Sequence, residues 1–309
     1  MLTNKRVLIT GASGFIGRNL ILRLNKFRLE IGVLFRSNSI EFASSNKIKE
    51  FRGDIKNYNF VNNVIQNFHP HIVFHLAADK NRIPRAEIIN HSINSNLIGS
   101  LNIFQALANI NELEKVIVIG TLDEYGNIAT PFIESQIEKP NNAYGLSKLF
   151  VTKLSDYYSR INDLPVIVLR PSIAYGPWQR NEMFIPSLII SLLQNKSFEM
   201  TKGEQKRDFI FISDLIDLMI KMVKETIWSE NVFNIGFGES LKINEIAKKI
   251  ALKLDKIDLL RIGGLGYRED ESMDYSVSIH LLQQRYKWSP KIGIDEGLDI
   301  TISHYQEVF

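Results

Sequence analysis

The sequence contains no cysteine among its 309 residues. A chain without thiols cannot form disulfides, use a cysteine nucleophile or bind zinc through sulfur, which excludes a secreted disulfide scaffold. Long apolar runs are also missing, and the stretch after Lys5-Arg6 is only Val-Leu-Ile-Thr before glycine and serine follow, too short for the apolar region of a signal peptide. We therefore expect a cytoplasmic protein that does not contact membranes.

The sequence also lacks a large excess of one charge sign. The 37 Lys+Arg against 34 Asp+Glu leave a net charge of +3. This excess is too small and too dispersed to predict a nucleic-acid surface, although the sequence pI is near 8.8. Hydrophobic residues make up 45% and charged residues 23%, as in ordinary globular proteins. The length allows one large α/β domain or two modest ones.

Short apolar, β-branched runs alternate with longer amphipathic stretches in the first half of the chain. This alternation predicts an α/β fold with a doubly wound parallel sheet covered by helices. The runs lack polar alternation, which predicts strands buried on both faces. The predicted elements are strands at Arg6–Thr10, Ile31–Phe35, Ile48–Arg52, His71–Leu76, Lys115–Ile119 and Pro165–Leu169, and long helices over 85–109 and 143–162.

The pattern changes after Arg170-Pro171, where glycines and shorter elements become frequent. We predict a first domain over 1–172, with a return segment near 207–236, and a smaller C-terminal α/β domain over 173–309. No long Pro/Ser linker separates them, so we expect a cleft between closely packed parts. The elements predicted here are a strand-like run at 207–212 and helices near 183–195, 242–254 and 295–308.

Three glycines follow the first predicted strand. Residues Thr10–Gly17 read TGASGFIG, with Gly11, Gly14 and Gly17 at the start of a predicted helix. Such glycines let the backbone turn tightly and approach a pyrophosphate, whose charge is met by free N–H groups and the helix dipole. A glycine triplet alone is a weak signal, but the order of strand, glycines and helix favours a dinucleotide site over a merely structural turn.

Tyr144 and Lys148 lie one helical turn apart, so that they share one face of a predicted helix. A free phenol has a pKa of about 10, and a neighbouring ammonium favours its ionised form. The pair therefore predicts a proton donor, with Thr121 at the end of the fifth strand placed to hydrogen-bond the reacting oxygen. Taken alone, a tyrosine and a lysine four residues apart would be a surface pair; the glycine loop upstream favours catalysis.

Together these motifs resemble the extended short-chain dehydrogenase/reductase family, in its NAD(P)-dependent nucleotide-sugar epimerase, dehydratase and ketoreductase branch. The resemblance spans nearly the whole chain. It implies a Rossmann-like dinucleotide-binding first domain, a nucleotide-sugar domain and a homodimer formed by helices 85–109 and 143–162. Asn96, three residues before Gly99, resembles the family's helix-kinking asparagine. Further matching segments are Asp54-Ile55, His75-Leu-Ala-Ala78, Tyr125-Gly126, Arg170-Pro171, Tyr175-Gly-Pro177 and Trp288-Ser-Pro290.

The resemblance implies a catalytic set of Thr121, Tyr144 and Lys148, without a metal. It implies a cofactor site and a site for a nucleotide-diphosphate sugar. The implied cofactor contacts are Gly11, Ser13, Gly14, Phe15, Ile16, Gly17, Arg36, Asp54, Ile55, Leu76, Ala77, Ala78, Asn96, Tyr144, Lys148, Pro171 and Ile173. The implied substrate contacts are Lys80, Thr121, Asp123, Arg207 and Arg268.

Arginine suits a diphosphate because its donors are charged and bidentate. A surface ion pair is the alternative for both Arg207 and Arg268. It is the weaker alternative for Arg207, which lies in an apolar run where an arginine needs a partner.

The end of the second strand departs from the pattern of NAD enzymes. They usually have an acidic residue there that binds the ribose hydroxyls, whereas this chain has Arg36. Arg36, helped by Arg18, predicts NADP(H) through contacts to the additional phosphate, with NAD(H) as the alternative cofactor. Arg36 could instead stack on the adenine or point to water.

Other departures concern the substrate. Family dehydratases have acid/base side chains at the two positions after the threonine, and here the first is Leu122, which cannot donate a proton. Dehydration is therefore disfavoured, and Asp123 is either a lone base or a turn carboxylate. Ile173 and Ser278 replace an asparagine and an aspartate of many relatives, which leaves the sugar contacts open.

The sequence thus predicts an NADPH-dependent reduction of the 4-keto group of a nucleotide-linked 4-keto-6-deoxy sugar, as in deoxysugar biosynthesis, with Tyr144 as proton donor. An NAD-dependent nucleotide-sugar 4-epimerase is the first alternative, since it uses the same tyrosine. A non-catalytic dinucleotide-binding regulator is the second, although a pure binder has no need of Thr121, Tyr144 and Lys148.

Overall fold

The computed structural model describes residues 2–36, 47–80, 86–225, 230–268 and 271–309. Its strands are β1 (Arg6–Thr10), β2 (Glu30–Phe35), β3 (Lys47–Arg52), β4 (Ile72–His75), β5 (Lys115–Ile119), β6 (Val166–Pro171), β7 (Ile173–Tyr175), β8 (Phe198–Met200), β9 (Lys206–Phe211), β10 (Val232–Ile235), β11 (Ser240–Lys242), β12 (Leu260–Ile262) and β13 (Asp274–Tyr275). Its α-helices are α1 (Phe15–Leu24), α2 (Tyr58–Phe68), α3 (Ala86–Ser92), α4 (Gly99–Leu107), α5 (Ala143–Asn162), α6 (Phe184–Leu193), α7 (Ile212–Lys224), α8 (Ile243–Lys253), α9 (His280–Tyr286) and α10 (Ile294–Val308).

A seven-stranded parallel sheet forms the centre of the molecule, in the order β10-β6-β5-β4-β1-β2-β3. Successive side chains of β1 enter different cores, because strand side chains alternate between faces. Val7 and Ile9 pack with α1 and α7, and Leu8 packs with α2, α4 and α5. The predicted Rossmann-like, doubly wound α/β fold is confirmed.

Two strands differ from the expectations. β3 lies at the edge of the sheet and is largely exposed, so the prediction that every strand is buried on both faces is wrong there. Its KIKEFR sequence has two apolar residues, Ile48 and Phe51, which are half-buried against opposite faces of the sheet, while its charged residues are exposed. The seventh strand, β10, lies at the opposite edge beside β6 and is absent from the six predicted strands.

The long helix predicted over 85–109 is interrupted. A π-helix at Ile93–Ile98 separates α3 from α4. Asn96, the asparagine expected to kink this helix, lies inside the π turn and is buried. Such turns relax the backbone ladder and free polar groups for other partners.

The remaining strands form smaller sheets near the C-terminus of the chain. β9 pairs with β7, β11 and β13, and β8 pairs with β12. The chain passes from the central sheet at Pro171 to the small sheet at Ile173 through Ser172 alone. This short connection holds the small sheet against the carboxyl end of β6. The division at residues 172 and 173 stays a prediction.

Candidate active site

The turn between β1 and α1 is built so closely that glycine is required. Gly11 has φ +69°, and a Cβ atom there would lie 2.7 Å from the backbone nitrogen of Ala77. A Cβ atom at Gly17 would lie 2.5 Å from the carbonyl oxygen of Gly11. Helix α1 therefore packs directly on the turn, and the turn packs directly on the segment after β4.

The N-terminus of α1 fits an anionic ligand. Gly14 is its N-cap, no side chain of the described residues caps it, and its first turn has no acidic residue. Ser13 and Gly14 are exposed, while Phe15 and Ile16 are half-buried. First-turn N–H groups at the positive end of a helix dipole, at the carboxyl edge of a parallel sheet, suit the pyrophosphate of a dinucleotide.

The residues expected on the adenine side follow β2 and β3. Arg36 comes directly after β2 and is exposed, and Ser37 lies outside the described residues. Asp54 is half-buried and accepts a hydrogen bond from the backbone N–H of Lys56 at 2.9 Å. The carbonyl of Ile55 accepts one from the side-chain amide of Asn102 at 2.8 Å. Both segments lie at the carboxyl edge that carries the glycine turn.

A directed chain of buried hydrogen bonds lies beneath the glycine turn. Ser100 Oγ donates to the carbonyl of Asn96 at 2.6 Å, so it accepts from His75 Nε2 at 2.8 Å. His75 Nδ1 then accepts from Thr10 Oγ1 at 2.7 Å, and Thr10 accepts from the N–H of Ala77 at 3.2 Å. Burial lowers the pKa of His75 to about 3, with a smaller contribution from the charge of Lys148. The imidazole is neutral and of fixed tautomer.

Asn96 extends this chain to the helix that carries the tyrosine. Its side-chain amide accepts from Asp79 N at 2.7 Å, and it donates to Asp79 O at 3.0 Å and to Ser147 Oγ at 2.8 Å. Ser147 in turn donates to the carbonyl of Tyr144 at 2.8 Å. The π turn thus links the segment after β4, where half-buried Leu76, Ala77 and Ala78 and exposed Lys80 lie, to α5.

The three expected catalytic residues are all buried where β5 ends beside the first turns of α5: Thr121, Tyr144 and Lys148. Asn142 caps α5 by accepting from the N–H of Gly145 at 2.8 Å, so the helix begins just before Tyr144. Burial lowers the pKa of Lys148 to about 8; the carboxylate of Glu124 opposes this shift and Lys80 adds to it. A lysine of this pKa is mostly protonated at neutral pH.

Thr121 begins the short turn Leu122–Glu124. Its Oγ1 accepts from the N–H of Asp123 at 3.2 Å, and its own N–H donates to Glu124 Oε1 at 2.9 Å. Leu122 is buried in an apolar cluster with Phe132 and Val277. In dehydratases of the family that this chain resembles, an acid/base residue follows the threonine. Here a core residue occupies that position.

Asp123 is linked to the predicted diphosphate site. Tyr275 donates its hydroxyl to Asp123 Oδ1 at 2.9 Å, and the guanidinium of Arg207 lies 5.5 Å from the centroid of the Tyr275 ring. Arg207 also forms an ion pair with Glu271, which supplies the partner that a half-buried arginine requires. Burial lowers the pKa of Arg207. Arg268 is exposed three residues before Glu271.

Pro171 and Ile173 flank the passage between the two sheets, at the end of β6 and the start of β7, and Ile173 is half-buried. Sequence reasoning missed Glu124 and Tyr275. The Thr-x-x-Glu spacing of Thr121 and Glu124 is a capping-box signal and could have indicated Glu124. Tyr275 reaches Asp123 across 152 residues of the chain, so its role has no local signal in the sequence.

Among the described residues, no group of three His, Asp or Glu side chains is arranged to hold a metal ion. Nor does any helix within the described ranges combine the length and apolar character needed to cross a membrane.

The glycine turn at the carboxyl edge of a parallel sheet, together with the buried tyrosine and lysine, defines a dinucleotide-binding enzyme of the extended short-chain dehydrogenase/reductase branch. Residues 7–236 match the NAD dependent epimerase/dehydratase family, and the chain belongs to it.

Its relatives act on nucleotide sugars. The chain is 26% identical to a dTDP-glucose 4,6-dehydratase of Haemophilus influenzae, over 97% of both chains. It is also 26% identical to a UDP-glucuronate 4-epimerase of Thermodesulfobacterium geofontis, over 97% of this chain and 96% of the relative. A UDP-glucuronic acid 4-epimerase variant from Bacillus cereus, solved with a fluorinated UDP-glucuronic acid and NAD, superposes with a TM-score of 0.88 at 25% identity, over 98% of this chain and 100% of that one.

Proposed function

We propose that this enzyme reduces the 4-keto group of a nucleotide-linked 4-keto-6-deoxy sugar with NADPH. The observation that carries the proposal is the buried Leu122 in the position next to Thr121. Elimination of water needs a second acid/base group beside the tyrosine, whereas a ketone reduction needs only one proton donor. Tyr144 is that donor, so this set of side chains fits a reduction better than a dehydration. Arg36 favours reduction over epimerisation, because a reductase must exchange its reduced cofactor.

When bound, the dinucleotide supplies the hydride for the carbonyl carbon. Tyr144 gives its hydroxyl proton to the carbonyl oxygen. The oxygen of Thr121 accepts the N–H of Asp123, which leaves its hydroxyl proton to donate to the same carbonyl oxygen. Lys148 holds the ribose and favours the phenolate of Tyr144 once the proton has left.

NADP(H) is proposed because of Arg36. Its guanidinium follows β2 directly and is exposed, as a contact to a 2′-phosphate requires. Calorimetric titration with NADPH and NADH tests this choice. Arg36→Asp should weaken NADPH by about 1.5–3 kcal/mol and leave NADH nearly unchanged. Arg160→Asp, which changes an exposed arginine in the last turn of α5, is the control and should affect neither cofactor.

A nucleotide-sugar 4-epimerase is the second candidate. It is favoured by the 4-epimerases among the relatives and by the NAD bound in the solved structure from Bacillus cereus. It uses the same tyrosine, but it needs no net oxidation of the cofactor. The two reactions are therefore distinguished by whether NADPH is consumed.

The deciding experiment incubates the purified enzyme with a panel of UDP- and dTDP-linked 4-ketosugars in the presence of NADPH or NADH. A second panel contains the corresponding UDP-hexoses without added cofactor. Consumption of NADPH with a 4-ketosugar supports the reductase. Interconversion of UDP-hexoses without cofactor consumption supports the epimerase and contradicts the proposed reduction. Binding of dinucleotide with no turnover in either panel contradicts both.

A further inference from the structure

Glu124 is a buried carboxylate beside the candidate catalytic residues that takes no part in the proposed proton transfer. Its side chain is 0% exposed, and that of its ion-pair partner Arg170 is 1% exposed. A buried charge is costly unless it is both paired and hydrogen-bonded. Besides Arg170, Glu124 contacts the turn that carries Thr121 and the helix that carries Tyr144 and Lys148.

The first contact is to the turn that carries Thr121. Glu124 Oε1 accepts the N–H of Thr121 at 2.9 Å and so fixes the backbone from which the threonine hydroxyl projects. The residue before Thr121 is Gly120, and a Cβ atom there would lie 2.7 Å from the same oxygen. The carboxylate is therefore enclosed by the end of β5, and its position determines that of the turn.

The second contact is to α5. Thr152 donates its hydroxyl to Glu124 Oε2 at 2.8 Å. Thr152 lies one helical turn after Lys148, which lies one turn after Tyr144, so the three side chains share one face of the helix. A single carboxylate thus joins the turn of Thr121 to the helix face that carries the proton donor and its lysine.

The third contribution of Glu124 is the negative charge of its carboxylate. Arg170 Nε donates to Glu124 Oε2 at 2.9 Å, and Arg170 also donates to Glu138 at 2.8 Å, so two carboxylates share one guanidinium. The Glu124 carboxylate raises the pKa of Lys148 against the effects of burial and of Lys80. His75, whose pKa is lowered by burial and by the charge of Lys148, is neutral and supplies no negative charge to the lysine.

We infer that Glu124 is a positioning residue of this enzyme, which holds the turn of Thr121 against the face of α5 that carries Tyr144 and Lys148. This inference rests on the proposed function, because it assigns Glu124 its role through those three residues.

Three variants test the inference. Glu124→Gln keeps an oxygen acceptor for the N–H of Thr121 but removes the charge. Thr152→Val removes only the hydroxyl that joins α5 to Glu124. Glu138→Gln is the matched control, since it removes the other carboxylate on Arg170 without touching Thr121, Thr152 or Lys148. For each variant we would measure kcat, KM, the pH profile of kcat, the melting temperature and dinucleotide affinity.

Glu124→Gln should lower kcat about ten- to a hundred-fold with little change in KM, as expected when reacting groups are misplaced. The pH above which activity is lost should move down, because Lys148 loses its proton more readily. Thr152→Val should lower kcat several-fold without moving the profile, and Glu138→Gln should do neither. If Glu124→Gln fails to fold, Thr152→Val carries the test, and a wild-type kcat for that variant overturns the inference.

Equal effects of Glu124→Gln and Glu138→Gln would also overturn it, since they would show a merely structural ion cluster. Titration of the Lys148 side chain by NMR, with its signal assigned through Lys148→Met, gives a readout that needs no turnover. An inactive wild type whose Lys148 pKa falls in Glu124→Gln would contradict the proposed function and support the effect of Glu124 on the lysine. An unchanged Lys148 pKa would contradict that effect.

Discussion

His75 shows how a single residue is tuned by its surroundings. It is buried between Thr10 and Ser100, and their hydrogen bonds leave the imidazole one acceptor and one donor nitrogen. Protonation would turn the acceptor nitrogen into a second donor and break the bond from Thr10. The low pKa therefore follows from burial and is reinforced by the direction of the hydrogen-bond chain.

This tuning predicts a pH dependence of stability. The pKa of His75 is about 3 in the folded protein, against 6.5 for an unperturbed histidine side chain. The unfolded chain therefore binds the extra proton between these values, and wild-type stability falls as the pH falls through that window. At pH near 4.5 the loss from this residue should be about 2 to 3 kcal/mol, at ~1.4 kcal/mol per pKa unit.

His75→Asn isolates the effect, because it lacks the titrating group. It should be less stable than wild type at neutral pH, and the difference in free energy of unfolding should shrink as the pH falls to about 4.5. Asp208, whose pKa burial raises to about 6, acts in the opposite direction, but it is present in both proteins and cancels in the difference. A difference that stays constant across the window would contradict the neutral, buried state of His75.

The ion pair between Arg207 and Glu271 leads to a prediction about substrate binding. If Arg207 binds the diphosphate of the substrate, the carboxylate of Glu271 competes with it for the guanidinium. Arg207→Gln should then weaken binding of the free nucleoside diphosphate, and Glu271→Gln should tighten it by up to about ten-fold, while dinucleotide affinity is unchanged. Calorimetry measures both. Glu204→Gln, at an exposed ion pair with Lys242, is the control. Unchanged diphosphate affinity in both variants would make the pair purely structural.

At the scale of elements, the contact between the glycine turn and α1 makes a prediction about packing. In Gly17→Ala the new methyl group would meet the backbone of Gly11 and Ala12, which cannot rotate away as a side chain could. The variant should lose about 1–3 kcal/mol of stability, as in other overpacked sites, and should bind dinucleotide more weakly. Thermal unfolding and calorimetry measure the two effects.

Gly266→Ala is the control for this substitution, because a Cβ atom there has nothing within 4 Å. It should change stability by less than about 0.5 kcal/mol. Wild-type stability and dinucleotide affinity in Gly17→Ala would show that α1 does not need its close approach to the turn.

The elements were predictable where the pattern was regular. The helix predicted over 143–162 begins and ends as observed, because Asn142 caps it and Asp163 closes it in a left-handed conformation. β10 was missed because its Val-Phe-Asn-Ile sequence carries a buried polar residue in the middle. That residue, Asn234, accepts a hydrogen bond from the hydroxyl of Tyr125, a partner 109 residues away. The π turn was foreseeable only through resemblance, since its sequence is apolar at helical spacing.

At the scale of the whole molecule, the candidate site is formed where the small sheet meets the carboxyl edge of the large one. The glycine turn, the tyrosine and the lysine each belong to a local sequence motif. Because the carboxyl ends of parallel strands lie at the same edge of the sheet, these motifs are expected to lie close together. The contact of Asp123 with Tyr275 and of Arg207 with Glu271 depends on how β13 pairs with β9. No spacing in the sequence determines that pairing, so the substrate side was less predictable than the cofactor side.

The central claim is that Tyr144 is the proton donor of a ketone reduction on a nucleotide-linked sugar. The most direct measurement is the rate of NADPH oxidation by Tyr144→Phe beside wild type, at saturating NADPH and 4-ketosugar. The substitution keeps the buried ring and its packing, so fold and NADPH affinity should survive while turnover falls by about 10²–10⁴. Near-normal turnover in Tyr144→Phe would remove this residue from the mechanism and contradict the account.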